Sequence, residues 1–493
     1  DVWSTTALRH IRLLLPKSKE GSRIIVTMQS DAVAEACEKM DTGDLVHKVG
    51  LLNEQNAEQL FMEAVGKENH KVIPTGLREM CSGLPLAIVT MAGRVTCNPE
   101  KSYDEWGEFC AALPPSPSTS HTVYQLMRVL STCYDDMPVE IKTCSLYLSI
   151  FPRGQKISRK RLTRRWTSDG FVIEQQGLSA EEVADAYLNH LIRRKFLRAT
   201  EHDRNGNVKS YQVIHDKVLE YIVSKANEEN FVTAIGGWIM PPPSSKIRRL
   251  SVQCSGSKYE KEEVETMNLS RVRDLTMFGS LKQLPSSSLK FGRAVQLLDL
   301  EGCKDFKQRH TKEICRMPLL RFLSLRRTDI KKLTKRIGDL RFLETLDIRE
   351  TDIVELPNAI CKLERLVNIL GGNKRTRKAL KLPEELVKRK KMKALRILTG
   401  IEVSDETTAD LHHLTDLRKL AIYKINSSKG GWDFSYLRSS IRRLGKSLRT
   451  LVIHDESSEF FKSLDLSAPA LPSFSMLLSC PASCLSSRNG LQK

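Results

Sequence analysis

At 493 residues the chain has room for about three domains, because single hydrophobic cores stop growing near 250–300 residues. Its 40% hydrophobic and 28% charged residues exclude a disordered or fibrous protein, and its longest apolar stretch, LPLAIVTMAG at 84–93, is far shorter than the roughly 20 residues of a membrane-spanning helix. The net charge of +19 favours acidic partners, while twelve cysteines, scattered from Cys37 and Cys81 onward, suggest neither a zinc site nor a disulfide framework and read as buried thiols of a reducing cytosol. Positions 1–30 do not show the charged, apolar and small-residue order of a secretory signal.

In chain order, GSRIIVTMQS places Arg23–Met28 as a buried strand, an apolar run too short for a helix and bounded by Gly21-Ser22 and a polar run. Ligands of parallel sheets sit beyond the carboxyl ends of such strands, so Thr27, Met28 and Gln29 point toward any nucleotide. VGLLNEQNAEQLFMEAV (49–65) has helical spacing in its second half, with Leu60, Phe61 and Ala64 on one side and Asn53 as N-cap. A second helix begins near Pro74, breaks at CSGLPL, where Gly83 and Pro85 make a turn, and resumes over Ala87–Gly93. SRKRLTRRW (158–166) reads as a solvated basic helix face, with DNA binding as the weaker alternative. His215 and Asp216, ahead of Val218, Leu219 and Ile222, fit an ordinary helix start with the aspartate near the positive end of the dipole.

The second half repeats. Leu320, Leu323, Leu325, Ile330, Leu333, Ile337 and Leu340 recur 23 positions later as Leu343, Leu346, Ile348, Ile353, Leu356, Ile360 and Leu363. The LxxLxL core extends outward, from Ile247/Leu250/Val252 to Leu448/Leu451/Ile453, giving about nine leucine-rich repeats of 23 to 31 residues. In LxL a short strand turns two leucines inward and the middle residue outward, and no unit closes its own core, so stacked units share one. Cys303, Thr328 and Thr351 follow the last core residue where a small side chain faces inward and bonds the turn backbone. The outward Asp299, Ser324 and Asp347 line the concave sheet as candidate partner-binding residues. Nothing on that face forms a nucleophile and base pair, so it binds and does no chemistry, or it is scaffold alone.

The segment 371–396 carries eleven Lys or Arg against two Glu. It fits a solvated mobile loop, an acidic surface within the molecule or on a protein partner, or, least, nucleic acid. After Leu464 the periodicity stops, and the Ser/Pro-rich 466–493 reads as a disordered or aberrant tail.

The order DVW, GSRIIVTMQ, GLLNEQNAEQLF, CSGLPLAIVTMAG, CSLYLSIFPRGQKISRKRLTRRWTSDGFV and VIHDKVLEYI, followed by leucine-rich repeats, resembles the plant nucleotide-binding leucine-rich-repeat immune receptors, especially the coiled-coil class, over positions 1 to about 460. The resemblance implies a multidomain α/β plus α architecture. Its parts are a remnant of a P-loop NTPase-type α/β domain (1–45), a helical domain (46–128), a winged-helix domain (129–240), then a leucine-rich-repeat solenoid (241–465).

It also implies a nucleotide switch with at most weak ATPase activity rather than an enzyme, no metal ligands among these residues, and a cytoplasmic location with nuclear or peripheral plasma-membrane placement open. ADP and ATP are the ligands implied for the intact family. Asp1 looks like the second of two aspartates ahead of Val-Trp, so a coiled-coil domain and a glycine-rich phosphate loop are expected upstream. Pro85 looks like the proline packing on adenine. His215 resembles the histidine that reaches the ADP diphosphate, with Asp216 supporting its geometry. The family carries Thr-Thr-Arg at the strand end, the arginine sensing the terminal phosphate; here Met28 and Gln29 stand instead, without the charge and fork that phosphate favours. No Gly-x-x-x-x-Gly-Lys-Ser/Thr pattern occurs either, which weakens the case for nucleotide binding by these residues. The implied partner is a pathogen effector or a guarded host protein. A nucleotide-independent repeat scaffold or decoy is the alternative.

Overall fold

The structure is a computed structural model that describes residues 2, 4–15, 23–39, 45–66, 75–101, 105–108, 122–203, 205–236, 246–253, 267–283, 292–373, 375–388, 392–404, 408, 411–425, 434–454 and 475–479. Asp1, one of the nucleotide-site expectations, lies outside them.

The first unit holds α1 (Thr5–Leu14) and α2 (Asp31–Glu38) around a small core of Val2, Leu8 and Val33. Between them, the strand expected over 23–28 is not formed. The segment is extended but makes a single parallel bridge, Met28 to Val2, and Ile25 is 91% exposed. A buried parallel strand needs a neighbour on each edge and cover on both faces; among the described residues this run has one bridging residue, so Ile24 and Ile25 stay in water while Val26 and Met28 pack half-buried against the small core.

The helical unit contains α3 (Glu54–Val65), α4 (Thr75–Cys81), α5 (Pro85–Cys97) and α6 (Thr122–Asp135). Asn53 caps α3 as expected, its side chain accepting from the Asn56 amide at 2.8 Å. Pro85 opens α5 at its first turn, where a missing amide hydrogen is harmless. The turn before it requires glycine: Gly83 has φ +69°, and a Cβ there would lie 2.5 Å from the Leu52 carbonyl oxygen.

The winged-helix unit follows as α7 (Val139–Leu146), β1 (Ile157–Ser158), α8 (Arg159–Ser168), α9 (Ala180–Arg193), β2 (Leu197–His202), β3 (Val208–Val213) and α10 (Asp216–Glu228), with antiparallel sheet order β1-β3-β2. One hydrophobic core runs through both units, from Met91 through Val129 and Leu188 to Ile222. The division expected at 128/129 therefore falls inside α6.

The solenoid is a single parallel sheet beginning before 241: β4 (Thr233–Ile235), β5 (Arg249–Gln253), β6 (Asp274–Phe278), β7 (Leu297–Asp299), β8 (Phe322–Ser324), β9 (Thr345–Asp347), β10 (Asn368–Leu370), β12 (Ile397–Val403), β13 (Lys419–Ile425), β14 (Thr450–His454) and β15 (Ser475–Ser479). β11 (Leu380–Lys381) pairs with β12 outside that path, and α11 (Gln308–Ile314), α12 (Glu384–Lys388) and α13 (Ser435–Leu444) lie between strands. The register places Leu298, Leu323, Leu346, Ile369 and Leu398 side by side, each fully buried in one continuous core. The Thr328 and Thr351 hydroxyls donate to the Leu325 and Ile348 carbonyls at 2.6 and 2.7 Å, and buried Cys303 donates to the Lys304 carbonyl, as the repeat spacing predicts.

Two expectations for this half are corrected. The basic segment 371–396 is not a loop throughout: Leu380, Leu382 and Leu386 are buried, β11 and α12 form within it, Lys378 pairs with Asp352, and Arg396 reaches Glu174 at 2.9 Å. Residues 374 and 389–391 lie outside the described residues. Within the tail, Ser475–Ser479 forms β15 against β14 in parallel register, because the open edge of a parallel sheet accepts any extended segment that reaches it; 466–474 and 480–493 lie outside the described residues.

Candidate functional site

The basic helix α8, which the sequence suggested was solvated, instead buries Arg161 and Arg165. Leu162 and Trp166 anchor the helix in the winged-helix core, both with no exposed surface. Helical spacing then turns Arg161 and Arg165, one turn apart, onto the concave face of the solenoid. Arg165 is completely buried. Its Nη1 donates to Asp299 Oδ2 at 2.7 Å, its Nη2 to Thr276 Oγ1 at 2.5 Å, and its Nε to the Tyr147 hydroxyl at 2.9 Å. That hydroxyl donates onward to Asp274 Oδ2 at 2.7 Å. Arg161 reaches the same Asp299 oxygen at 2.7 Å and Glu301 at 3.2 Å, with its guanidinium over the rings of Phe151 and Phe278. Beside them Arg249 pairs with Asp169 at 3.0 Å and lies between Phe171 and Phe231, 4.8 and 4.3 Å from the ring centres.

Charge balance makes this burial tolerable. Burial alone would raise the Asp299 carboxyl, but Arg161 and Arg165 hold it below its ordinary range. Burial pushes the Tyr147 hydroxyl well up and the Asp274 carboxylate adds to that, so it stays a donor. Asp169 is raised to about 6 by burial and by Asp274, with Arg249 opposing.

The solenoid side of the contact follows from register. Two outward positions per strand build two columns: Arg249, Asp274, Leu297, Phe322, Thr345, Asn368, Ile397, Lys419 and Thr450, and beside it Ser251, Thr276, Asp299, Ser324, Asp347, Leu370 and Thr399. Asp299, Ser324 and Asp347 therefore do face the concave side, but they are 0%, 1% and 5% exposed. The expectation that they are open to a partner is corrected. Asp299 is taken by α8, and Asp347 bonds Arg349 at 2.5 and 2.8 Å, which with Arg164 nearby holds its carboxyl down against burial.

Contact resumes at the far repeats with opposite sign. Glu174 pairs with Arg396, and the carboxylate of Glu182 at the start of α9 is held down first by Ser179 and also by Arg449 and Arg418. The winged helix thus presents cations to the acidic early repeats and carboxylates to the basic later ones.

The nucleotide-site expectations divide. His215 caps α10, its Nδ1 accepting from the Lys217 amide at 3.1 Å, and Asp216 pairs with Arg153. Both line an open cavity of about 320 Å³ with Arg198, Gln212 and Leu219; Pro85 is not among its lining residues. Thr27 and Gln29 flank the Met28 bridge in the first unit, and both are exposed. What sequence reading missed was α8 and the first concave column. The signal was present: Arg161 and Arg165 at helical spacing, and Asp274 and Asp299 at strand positions one repeat apart.

Comparison with known proteins supplies the relationship. The NB-ARC domain family model matches residues 1–71, the disease resistance protein winged helix domain 150–222, and a leucine-rich repeat region 271–488. The chain is 48% identical over 509 aligned residues to disease resistance protein Pik-2 of Oryza sativa subsp. japonica, an alignment covering 95% of this chain and 50% of that protein. It is 30% identical to RGA4 of the same rice (90% and 44% covered) and 29% identical to RPM1 of Arabidopsis thaliana (58% and 34% covered). The chain spans about half the length of the curated relatives it matches. Among the described residues no helix is long and apolar enough to cross a membrane. With three domain types in family order and this identity along nearly all of its residues, the chain belongs to the NB-ARC leucine-rich-repeat disease resistance proteins of plants.

Proposed function

We propose that the chain works as part of an intracellular plant immune receptor. Its solenoid senses a pathogen effector or a guarded host protein, and its winged helix couples that sensing to an ADP/ATP-dependent conformational switch. The observation supporting the reading is the occupied concave face: Arg161 and Arg165 of α8 fill the early repeats, so a partner taking that face displaces the winged helix. Displacement is a two-state event, and a ligand shifts such an equilibrium only by binding one state better. His215 enters as the coupling residue. It sits at the first turn of α10, and Asp216 ties that turn to Arg153 across the cavity, so a phosphate donor-acceptor exchange at the imidazole would be felt by the unit that carries α8.

A second reading, a nucleotide-independent interaction scaffold derived from such a receptor, is favoured by Gln29 at the strand end and by the separation of Pro85 from the His215 cavity. Titrating the 493-residue protein with a fluorescent ADP analogue separates the two. Saturable binding that weakens at least tenfold in His215→Ala supports the switch. No binding, together with an unchanged radius of gyration on adding ADP, leaves the scaffold.

A further inference from the structure

The concave sheet has a rim, formed by the residue just before each strand, whose backbone bonds tie one repeat to the next. At the later repeats the Arg418 amide donates to the Arg396 carbonyl at 2.8 Å and the Arg449 amide to the Arg418 carbonyl at 2.7 Å. Three arginines therefore stand in one column at the entries to β12, β13 and β14. Neighbouring strands lie about 4.8 Å apart, so the column spans about 10 Å. Like charges on adjacent strands repel and lower stability, so packing alone does not call for this arrangement.

The same rim neutralises itself where its sign alternates. At the middle repeats the Glu344 amide donates to the Arg321 carbonyl, and their side chains pair, Nε and Nη2 donating to Oε1 and Oε2 at 2.9 and 3.2 Å. At the later repeats the sign does not alternate. Arg396 alone has a carboxylate, and the winged helix supplies it: Nη1 donates to Glu174 Oε1 at 2.9 Å. Among the described residues no ion pair joins a carboxylate to Arg418 or Arg449. Arg418 is half-buried and Arg449 exposed, and Lys393 and Lys446 add exposed positive charge just ahead of Arg396 and Arg449. Glu182 of α9 does not relieve the excess, because its carboxylate accepts from the Ser179 amide and hydroxyl at 2.8 and 2.6 Å. Asp416, exposed two residues before Arg418, makes no ion pair among the described residues either.

We propose that Arg396, Arg418 and Arg449 form a docking column for an acidic segment of a protein partner, whose Asp or Glu side chains take the guanidinium forks in turn and displace Glu174 from Arg396. The occupant is a carboxylate-bearing chain because the two groups this rim already holds, Glu344 and Glu174, are carboxylates, each met by one arginine. An extended stretch of about three or four residues covers the column. The inference rests on the reading that the solenoid senses a protein, and adds the partner's chemistry and its point of entry, the half-exposed pair that holds the winged helix to the later repeats.

The test is fluorescence anisotropy of fluorescein-labelled hexaglutamate with the full chain, at about 0.1 M salt and without nucleotide. The proposal expects saturable binding that weakens about tenfold when Arg418→Ala and Arg449→Ala are combined, and stays within about twofold when Lys209→Ala and Lys331→Ala remove the same charge at exposed sites elsewhere. Glu174→Gln should tighten binding about threefold, because Arg396 loses its competitor. The arginine double variant should melt no lower than the parent, since it relieves stacked like charges. No saturable binding, equal loss in the two double variants, no tightening in Glu174→Gln, or a lower melting temperature in the arginine variant overturns the column. Oligothymidylate that outcompetes hexaglutamate through the same arginines assigns the column to nucleic acid and overturns it as well. Because no nucleotide is present, failure of ADP to bind leaves this result standing, and failure of hexaglutamate leaves the switch standing.

Discussion

The early and later repeats are covered by the same winged-helix unit, yet they hold it in opposite ways. At the early repeats Arg165, Asp274 and Asp299 have no solvent exposure at all, and each charge is met by a counter-charge and a hydrogen bond. At the later repeats Arg396 and Glu174 pair at 39% and 56% side-chain exposure. The first end is held by groups that cannot be removed singly without stranding a charge in the protein interior; the second by groups that water and salt already half-screen. The early repeats are thus the firm end of this contact and the later repeats its loose end.

Four changes would break or sharpen that contrast. Leu346→Asp attacks what both ends share, burying an unpaired carboxylate at the centre of the repeat core; a loss upwards of about 5 kcal/mol, read by urea unfolding, is expected, and unchanged stability would refute the register. Arg165→Ala strikes the firm end alone and should lower stability by about 3–5 kcal/mol, since Asp274 and Asp299 then share one fewer buried cation.

Acid offers a third probe, away from both ends. His190 is lowered to about 4 by burial and by Arg194, so between about pH 6.5 and 4 the unfolded chain binds a proton that the folded chain refuses. Stability must fall as pH falls through that window, and His190→Gln should flatten the slope in melts at pH 6.5 and 4.5. The smallest effect belongs to the loose end: Arg396→Ala should change stability by less than about 1 kcal/mol, and still less in 0.5 M salt.

Much of this was legible beforehand. The 23-residue offset alone located Leu323 and Leu346 as neighbours, and the threonine ladder of Thr328 and Thr351 fell where the repeat required. Asn53 announced the start of α3 because a cap is a local event, settled within one turn. Gly400 was not singled out, although at φ +75° its place is compulsory: a Cβ would fall 1.9 Å from the Gly371 carbonyl oxygen, an approach between strands distant in sequence. Arg23–Met28 misled for the converse reason. Its composition is that of a buried strand, but burial depends on neighbours, and Ile25 has none among the described residues.

Charge was the least legible property. Basic residues on one helix face look alike whether they end in water or against Asp299, and outward aspartates look alike whether open or covered. Local spacing determined the helices, the repeat register and which side chains point inward, because those depend on backbone geometry within a turn or a strand. Only the tertiary structure decided that α8 lies across the concave columns, that three of the residues chosen as partner-facing are buried, and that Arg396 meets Glu174. The reason is physical: hydrophobic periodicity acts over a few residues, whereas the free energy of a charge is set by whatever the rest of the fold brings within a few ångströms of it.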